Sequence, residues 1–215
     1  MSKLSEHVDW HYLLREFWSV YRFSSAGGSK PIRSHQKEVR NRLSAEIDRD
    51  PEVVALTPKS LPVCAWLGRS IDQGLRERTA PLVRSLRRVT DQLVWQYGYE
   101  KVPRGLVKKF GYAELMGTQG PVLSDRLKLG LVLFAPNCTY PAHSHDGIKE
   151  SYICLSGVVS ESNDGVYSPG SLLFNPPNKV HRITTGNFEP TLLAYAWEGP
   201  AEKLKSQKMQ FTRKR

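Results

Sequence analysis

The chain has 215 residues, 40% hydrophobic and 24% charged, an ordinary globular composition that excludes disorder as its main state. No run reaches the roughly 18 to 20 consecutive apolar residues that a membrane helix needs, and the polar start MSKLSEHVDW lacks the apolar core of a signal peptide, so a soluble cytoplasmic protein is expected. Thirty-one Lys and Arg against 21 Asp and Glu give +10, which would suit an anionic partner such as nucleic acid. Half of that excess lies in the last fifteen residues, where Lys203, Lys205, Lys208, Arg213, Lys214 and Arg215 face one acid, Glu202. Residues 201–215 therefore read as a solvated basic tail. A basic run without a reading motif gives only salt-sensitive attraction, so no specific nucleic-acid partner is expected. Cys64, Cys138 and Cys154 are odd in number, widely spaced and free of any CxxC, and read as reduced thiols.

The first hundred or so residues carry helical periodicity. Trp10, Leu13, Leu14, Phe17 and Tyr21 form one amphipathic stripe that ends at the breaker Ser24-Ser25-Ala26-Gly27-Gly28. Ser34 is placed to cap a second helix with Val39, Leu43 and Ile47 inward, stopped before Asp50-Pro51. A third is expected from about Leu61 to Leu75. A fourth opens at Pro81, with the stripe Leu82, Leu86, Val89, Leu93 and Tyr97 and a solvated face of Arg84, Arg87 and Arg88. Gly98 to Gly120 reads as a connection with one or two edge strands. From Leu127 onward short segments rich in Val, Leu, Ile, Tyr and Phe alternate with turn clusters such as Ala135-Pro136-Asn137 and Pro176-Pro177-Asn178, the texture of a β-sandwich or barrel.

Three histidines in this β half have informative spacing. His143 and His145 are two apart, so on an extended segment both imidazoles leave the same face; Glu150 follows, and His181 comes two β segments later. Imidazoles plus one carboxylate make a nitrogen and oxygen set suited to Zn, Fe, Mn, Ni or Co, with positions left for substrate or water. Written out, the stretches are Asn137-x5-His143-x-His145-x4-Glu150-x6-Gly157 and Gly170-x5-Pro176-x-Asn178-x2-His181. They resemble the two signature motifs of the cupin superfamily, with every ligand position filled. Asn137 and Asn178 stand where the motifs have glycine, a tolerable exchange because Asn is the best non-glycine residue at positive φ, and Thr185 stands where the second motif ends in Asn. The resemblance implies a mainly β chain: a single cupin β-barrel (double-stranded β-helix, jelly roll) over residues 111–200, with an N-terminal α-helical region over residues 1–110.

Within the cupins the sequence resembles the dimethylsulfoniopropionate (DMSP) lyases. The likeness lies in Tyr140-x2-His143-x-His145-x4-Glu150-x-Tyr152, then Gly170, Pro176 and His181, the strand Tyr195-Ala196-Trp197, the preceding Ser124-Asp125-Arg126-Leu127-Lys128-Leu129-Gly130 and a helical N-terminal half. One departure is that four residues, Asp146 to Lys149, separate His145 from Glu150 where three are expected; the extra residue is expected to bring Asp146 or Lys149 towards the pocket mouth. The resemblance implies a carbon–sulfur lyase that cleaves DMSP to dimethyl sulfide and acrylate by β-elimination. It implies a divalent metal on His143, His145, Glu150 and His181, Tyr152 as base, Tyr140 as second base or carboxylate-orienting donor, and Tyr195 and Trp197 as aromatic faces for the sulfonium. A homodimer is also expected. Two other readings stay open on the residues alone: another metal-dependent cupin enzyme, an oxygenase or isomerase acting on a small acid or sugar, and a non-enzymatic cupin that binds a small ligand.

Overall fold

The apolar stripe from Trp10 to Tyr21 forms the buried face of α1 (Val8–Phe23) in the computed structural model, which describes residues 2–23, 29–99, 102–162, 164–206 and 210–211. The expected breaker from Ser24 to Gly28 lies outside the described residues. α2 (Lys30–Asp48) begins well ahead of Ser34, with Ser29 at the N-cap and Pro31 in the first turn. A first-turn proline forfeits no intrahelical hydrogen bond, so the helix extends past it towards the N-terminus. The third helical segment is a 3-10 turn (Pro62–Trp66) leading into α3 (Leu67–Gly74). α4 (Ala80–Arg87) stops short of its stripe. Val89 and Leu93 are buried nevertheless, because burying a leucine contributes roughly 1.5–3 kcal/mol and helix propensities differ by at most about 0.7 kcal/mol for ordinary residues. Arg84, Arg87 and Arg88 are exposed as expected. No helix among the described residues is long and apolar enough to cross a membrane.

Among the described residues fourteen strands follow one another: β1 (Ser2–Lys3), β2 (Glu52–Val53), β3 (Trp95–Gln96), β4 (Phe110–Gly117), β5 (Val122–Leu123), β6 (Lys128–Phe134), β7 (Thr139–Ser144), β8 (Lys149–Ser156), β9 (Val159–Glu161), β10 (Gly165–Tyr167), β11 (Leu172–Asn175), β12 (His181–Thr185), β13 (Thr191–Glu198) and β14 (Gln210–Phe211). The larger sheet has the order β1-β2-β5-β4-β6-β13-β8-β11 with β3 on β4, and the smaller has β10-β9-β12-β7-β14. β4, expected at an edge, is an interior strand between β5 and β6. Its residues Phe110, Ala113, Leu115 and Met116 are buried, and that packing outweighs the glycine-rich texture around it. Asn137 and Asn178 adopt φ of 52° and 65°, as their places in the two turn motifs require.

Period-two alternation gives the larger sheet two apolar faces. Leu129, Leu131, Ile153, Leu155, Ala194 and Ala196 turn outward into one core shared with Leu13, Leu14, Phe17, Val39 and Leu43 of the helices. Val132, Phe134, Tyr152, Cys154, Leu193, Tyr195 and Trp197 turn inward towards Cys138, Tyr140 and Ile183 of the smaller sheet. The expected boundary at residues 110 and 111 falls where β4 starts, yet the helical part and the sheet have no separate cores. The expected solvated tail departs from its reading at once: α5 (Ala201–Ser206) buries Leu204 against the inner cluster that contains Ile148, and the backbone of β14 pairs with β7. Lys208, Arg213, Lys214 and Arg215 lie outside the described residues.

Gly130 sits in the middle of β6 for a steric reason. A β-carbon there would lie 2.4 Å from the Ala113 carbonyl oxygen and 2.5 Å from the Tyr195 ring, so the ring of Tyr195 rests where any side chain would stand. We expect Gly130→Ala to destabilise the protein by about 1–3 kcal/mol through overpacking, read as a lowered denaturant midpoint at unchanged m-value; a midpoint equal to wild type would mean that this wall of the cavity is soft.

Candidate metal centre

Both sheets contribute to the centre. In the smaller sheet His143 and His181 are direct cross-strand partners on β7 and β12, and His145 follows at the end of β7. In the larger sheet Glu150 and Trp197 are cross-strand partners on β8 and β13. Facing one another, these rungs bring one donor atom from each of His143, His145, Glu150 and His181 within 4.8 Å of the rest, all four residues buried. That span is comparable with twice the roughly 2.1 Å metal–ligand distance of such sites. Glu150 is fully buried, with one oxygen 3.0 Å from His181 Nε2 and the other 3.4 Å from His145 Nε2.

The imidazoles are oriented for ligation. His143 Nδ1 lies 2.9 Å from the Pro141 carbonyl oxygen and His181 Nδ1 lies 3.1 Å from that of Lys179. A carbonyl only accepts, so both Nδ1 atoms donate and both Nε2 atoms face inward, the backbone-fixed orientation common among metal-binding histidines. His143 Nε2 is buried without a hydrogen-bond partner among the described residues, an arrangement that costs about 1–3 kcal/mol unless a cation completes it. Burial, and then the neighbouring His181, push His143 down to about 3, so this imidazole favours its neutral form. Burial works against ionised Glu150, but the surrounding His145 and His181 overcome it and hold the carboxyl well below its usual range. The donor set therefore fits a divalent transition metal, although it does not single out one ion.

Tyr152 projects from β8 on the same face as Glu150, with Tyr195 as its cross-strand partner. Burial first, and the Glu150 carboxylate next, push its phenol well above the ordinary value, so a nearby positive charge is needed before it can act as a base. Tyr140 is buried with its ring edge-on to His143 at 4.8 Å between centroids. Together with Phe110, Tyr112, Val132, Phe134 and Trp197, these tyrosines and Glu150 enclose a narrow cavity of about 20 Å³, room for one water.

Several partners of the centre carry no local sequence signal. Trp197, expected only to offer an aromatic face, also donates its indole N–H to Glu150 Oε1 at 2.7 Å, and Lys128 Nζ stands 5.5 Å from its ring while pairing with buried Glu114 at 2.9 Å. Asn175 donates to Glu161 at 2.7 Å and, more weakly, to Glu150 at 3.4 Å. Lys149 does not reach the cavity: it points to the outer face and pairs with Glu38 at 2.8 Å and Glu198 at 3.2 Å. Asp146 also points away, into an exposed pair with Lys203 of α5. The extra residue between His145 and Glu150 is absorbed in a turn at Gly147, φ 68°, and by burial of Ile148.

A family model for dimethylsulfoniopropionate lyase matches residues 35–193. The chain belongs to the DMSP lyase family. Its relatives include a curated protein of Cereibacter sphaeroides, named "Putative dimethylsulfoniopropionate lyase DddL", which is 48% identical over 98% of this chain and 90% of that one. Among solved structures, one from a study of the DMSP lyases RdDddP and RnDddQII superposes with a TM-score of 0.66 at 20% identity, over 96% of this chain and 99% of the other. The DMSP lyase DddQ of Ruegeria pomeroyi DSS-3 gives 0.58 at 21% identity, over 76% of this chain and 90% of that one. At such identities the two structures bear on the fold alone: two β-sheets with added N-terminal helices. As a member of the DMSP lyase family the chain is a carbon–sulfur lyase.

Proposed function

We propose that this lyase cleaves DMSP to dimethyl sulfide and acrylate, with His143, His145, Glu150 and His181 holding one divalent ion of Zn, Fe, Mn, Ni or Co and Tyr152 as the base. The observation that carries the reading is the buried three-histidine, one-carboxylate cluster opening into an aromatic cavity beside Tyr152. The bound ion would supply a Lewis acid for the substrate carboxylate and the positive charge that lowers the Tyr152 phenol. Tyr152 takes the proton from the carbon next to the carboxylate. The C–H electron pair becomes the new C=C bond, the C–S bond breaks, and its electrons leave with sulfur as neutral dimethyl sulfide. Tyr140 orients the carboxylate or serves as second base. Tyr195 and Trp197 present π faces to the sulfonium, a cation recognised without a formal counter-charge. Closed aromatic walls would also keep water from the carbanion-like carbon, and their rings must turn aside to admit the substrate.

The wider reading is a cytoplasmic enzyme acting on a small molecule with no specific nucleic-acid partner, organised as a helical region, a cupin barrel and a C-terminal segment. A homodimer is supported by Val8, Tyr12 and Phe23, exposed apolar residues of α1 that a second copy would cover. The test is incubation of metal-reconstituted protein with DMSP and headspace detection of dimethyl sulfide, with acrylate measured in solution. Equal amounts of both products are expected; no product with any of the five ions would overturn the substrate assignment.

A further inference from the structure

Behind the metal-ligand rung, on the outer face of the larger sheet, lies a second polar cluster that the reaction does not use. Ser151 and Glu198 flank Glu150 and Trp197 in sequence and point the opposite way, towards the helices. Ser151 Oγ is 2.7 Å from Tyr21 Oη of α1 and 2.8 Å from His35 Nε2 of α2. His35 Nδ1 stands 3.5 Å from Glu198 Oε2, a close contact without hydrogen-bond geometry, and Glu198 Oε1 receives Lys149 at 3.2 Å and Arg42 at 3.5 Å. Tyr21, His35, Ser151 and Glu198 are all at most 2% exposed. One imidazole thus bridges β8 and β13 on their outer side at the rungs where the Trp197 to Glu150 hydrogen bond bridges them on the inner side.

Ser151 is fully buried, so the serine, imidazole and carboxylate are not read as a second reactive site. Their geometry is that of a brace. Packed at full burial between α1, α2 and the sheet, these side chains have few alternative arrangements. Each of them fixes the backbone of residues 149–151 against that of residues 196–198. Residues supporting a metal ligand from outside the coordination sphere commonly change metal affinity or activity by about 10–100-fold.

We propose that His35, acting through Ser151 and Glu198, is a positioning residue that sets the rung carrying Glu150 and Trp197, so that the N-terminal helices tune the metal centre rather than merely cover the barrel. The proposal rests on the metal-ligand assignment above and does not depend on the substrate. Its test uses His35→Phe, which keeps the ring packed on Phe174 (centroids 4.7 Å apart) while removing both polar contacts. The full-length protein is titrated with Co(II), and its affinity and visible absorption bands are compared with wild type. We expect at least roughly tenfold weaker binding and altered bands, a lowered kcat with KM within about twofold, and partial restoration in His35→Gln, whose amide offers a donor and an acceptor. Ser151→Ala is expected to move affinity and spectrum in the same direction, and it carries the test if His35→Phe does not fold. Wild-type affinity and spectrum in the folded variant, even with a lowered melting temperature, would overturn the proposal while leaving the metal centre intact. A wild-type protein that binds no Co(II) would overturn both.

Discussion

Replacement of His181 by Ala is expected to abolish stoichiometric metal binding and to reduce lyase activity by more than about a hundredfold, beyond the usual loss from removing a supporting residue of a metal site. His181 pairs directly with His143 across the smaller sheet and its Nε2 lies 3.0 Å from Glu150, so it joins the two sides of the cluster most closely. The variant leaves three donors and a gap in a buried cluster. Metal content after dialysis against a weak chelator, together with dimethyl sulfide release, checks the expectation. If His181→Ala retained one ion per chain and wild-type turnover, the four-ligand centre would be wrong.

The second large effect is expected of Tyr152→Phe. A phenylalanine keeps the packing of this buried ring against Leu173 and Tyr195, its cross-strand partners, so folding and metal content should match wild type. Loss of the hydroxyl should lower kcat by about 10²–10⁴, the usual contribution of a positioned general base, with little change in KM. Burial and the Glu150 carboxylate hold this phenol protonated in the absence of a compensating charge. Activity should therefore rise with pH on a limb that reports the Tyr152 ionisation in the loaded enzyme, and that limb should vanish in the variant. Full turnover by folded, metal-loaded Tyr152→Phe would refute the assignment, and Tyr140→Phe would then be the informative comparison.

The four clustered residues were legible because their signal is local: two histidines two apart, a carboxylate five residues on, and a second turn motif ending in His181. Asn137 and Asn178 could be read as turn residues for the same reason, since the demand for positive φ is met within a single residue. The supporting groups were not legible. Asn175 and Trp197 reach Glu150 across strand pairings whose register no short stretch reveals, and His35 meets Ser151 across 116 positions of chain. The fourth helix was read too long because Leu93 recurs at helical spacing yet is buried beyond the helix end, just before the short strand Trp95–Gln96. The basic residues of α5 suggested a solvated tail, and one apolar side chain among them, Leu204, was enough to dock it.

The core shared by the helices and the outer face of the larger sheet also constrains how the chain can be made. α1 and α2 leave the ribosome ahead of the strands that cover their apolar faces, since β6, β8 and β13 are translated more than roughly seventy residues later, and the Tyr21 to Ser151 contact spans 130 positions. Non-local closure of this kind slows folding and leaves apolar helix surface bare in the interim. Folding then waits for β13, so a nascent chain that stalls before it presents the sticky helix faces that chaperones and proteases recognise, and the barrel cut free of its helices would be an aggregating fragment rather than a smaller enzyme.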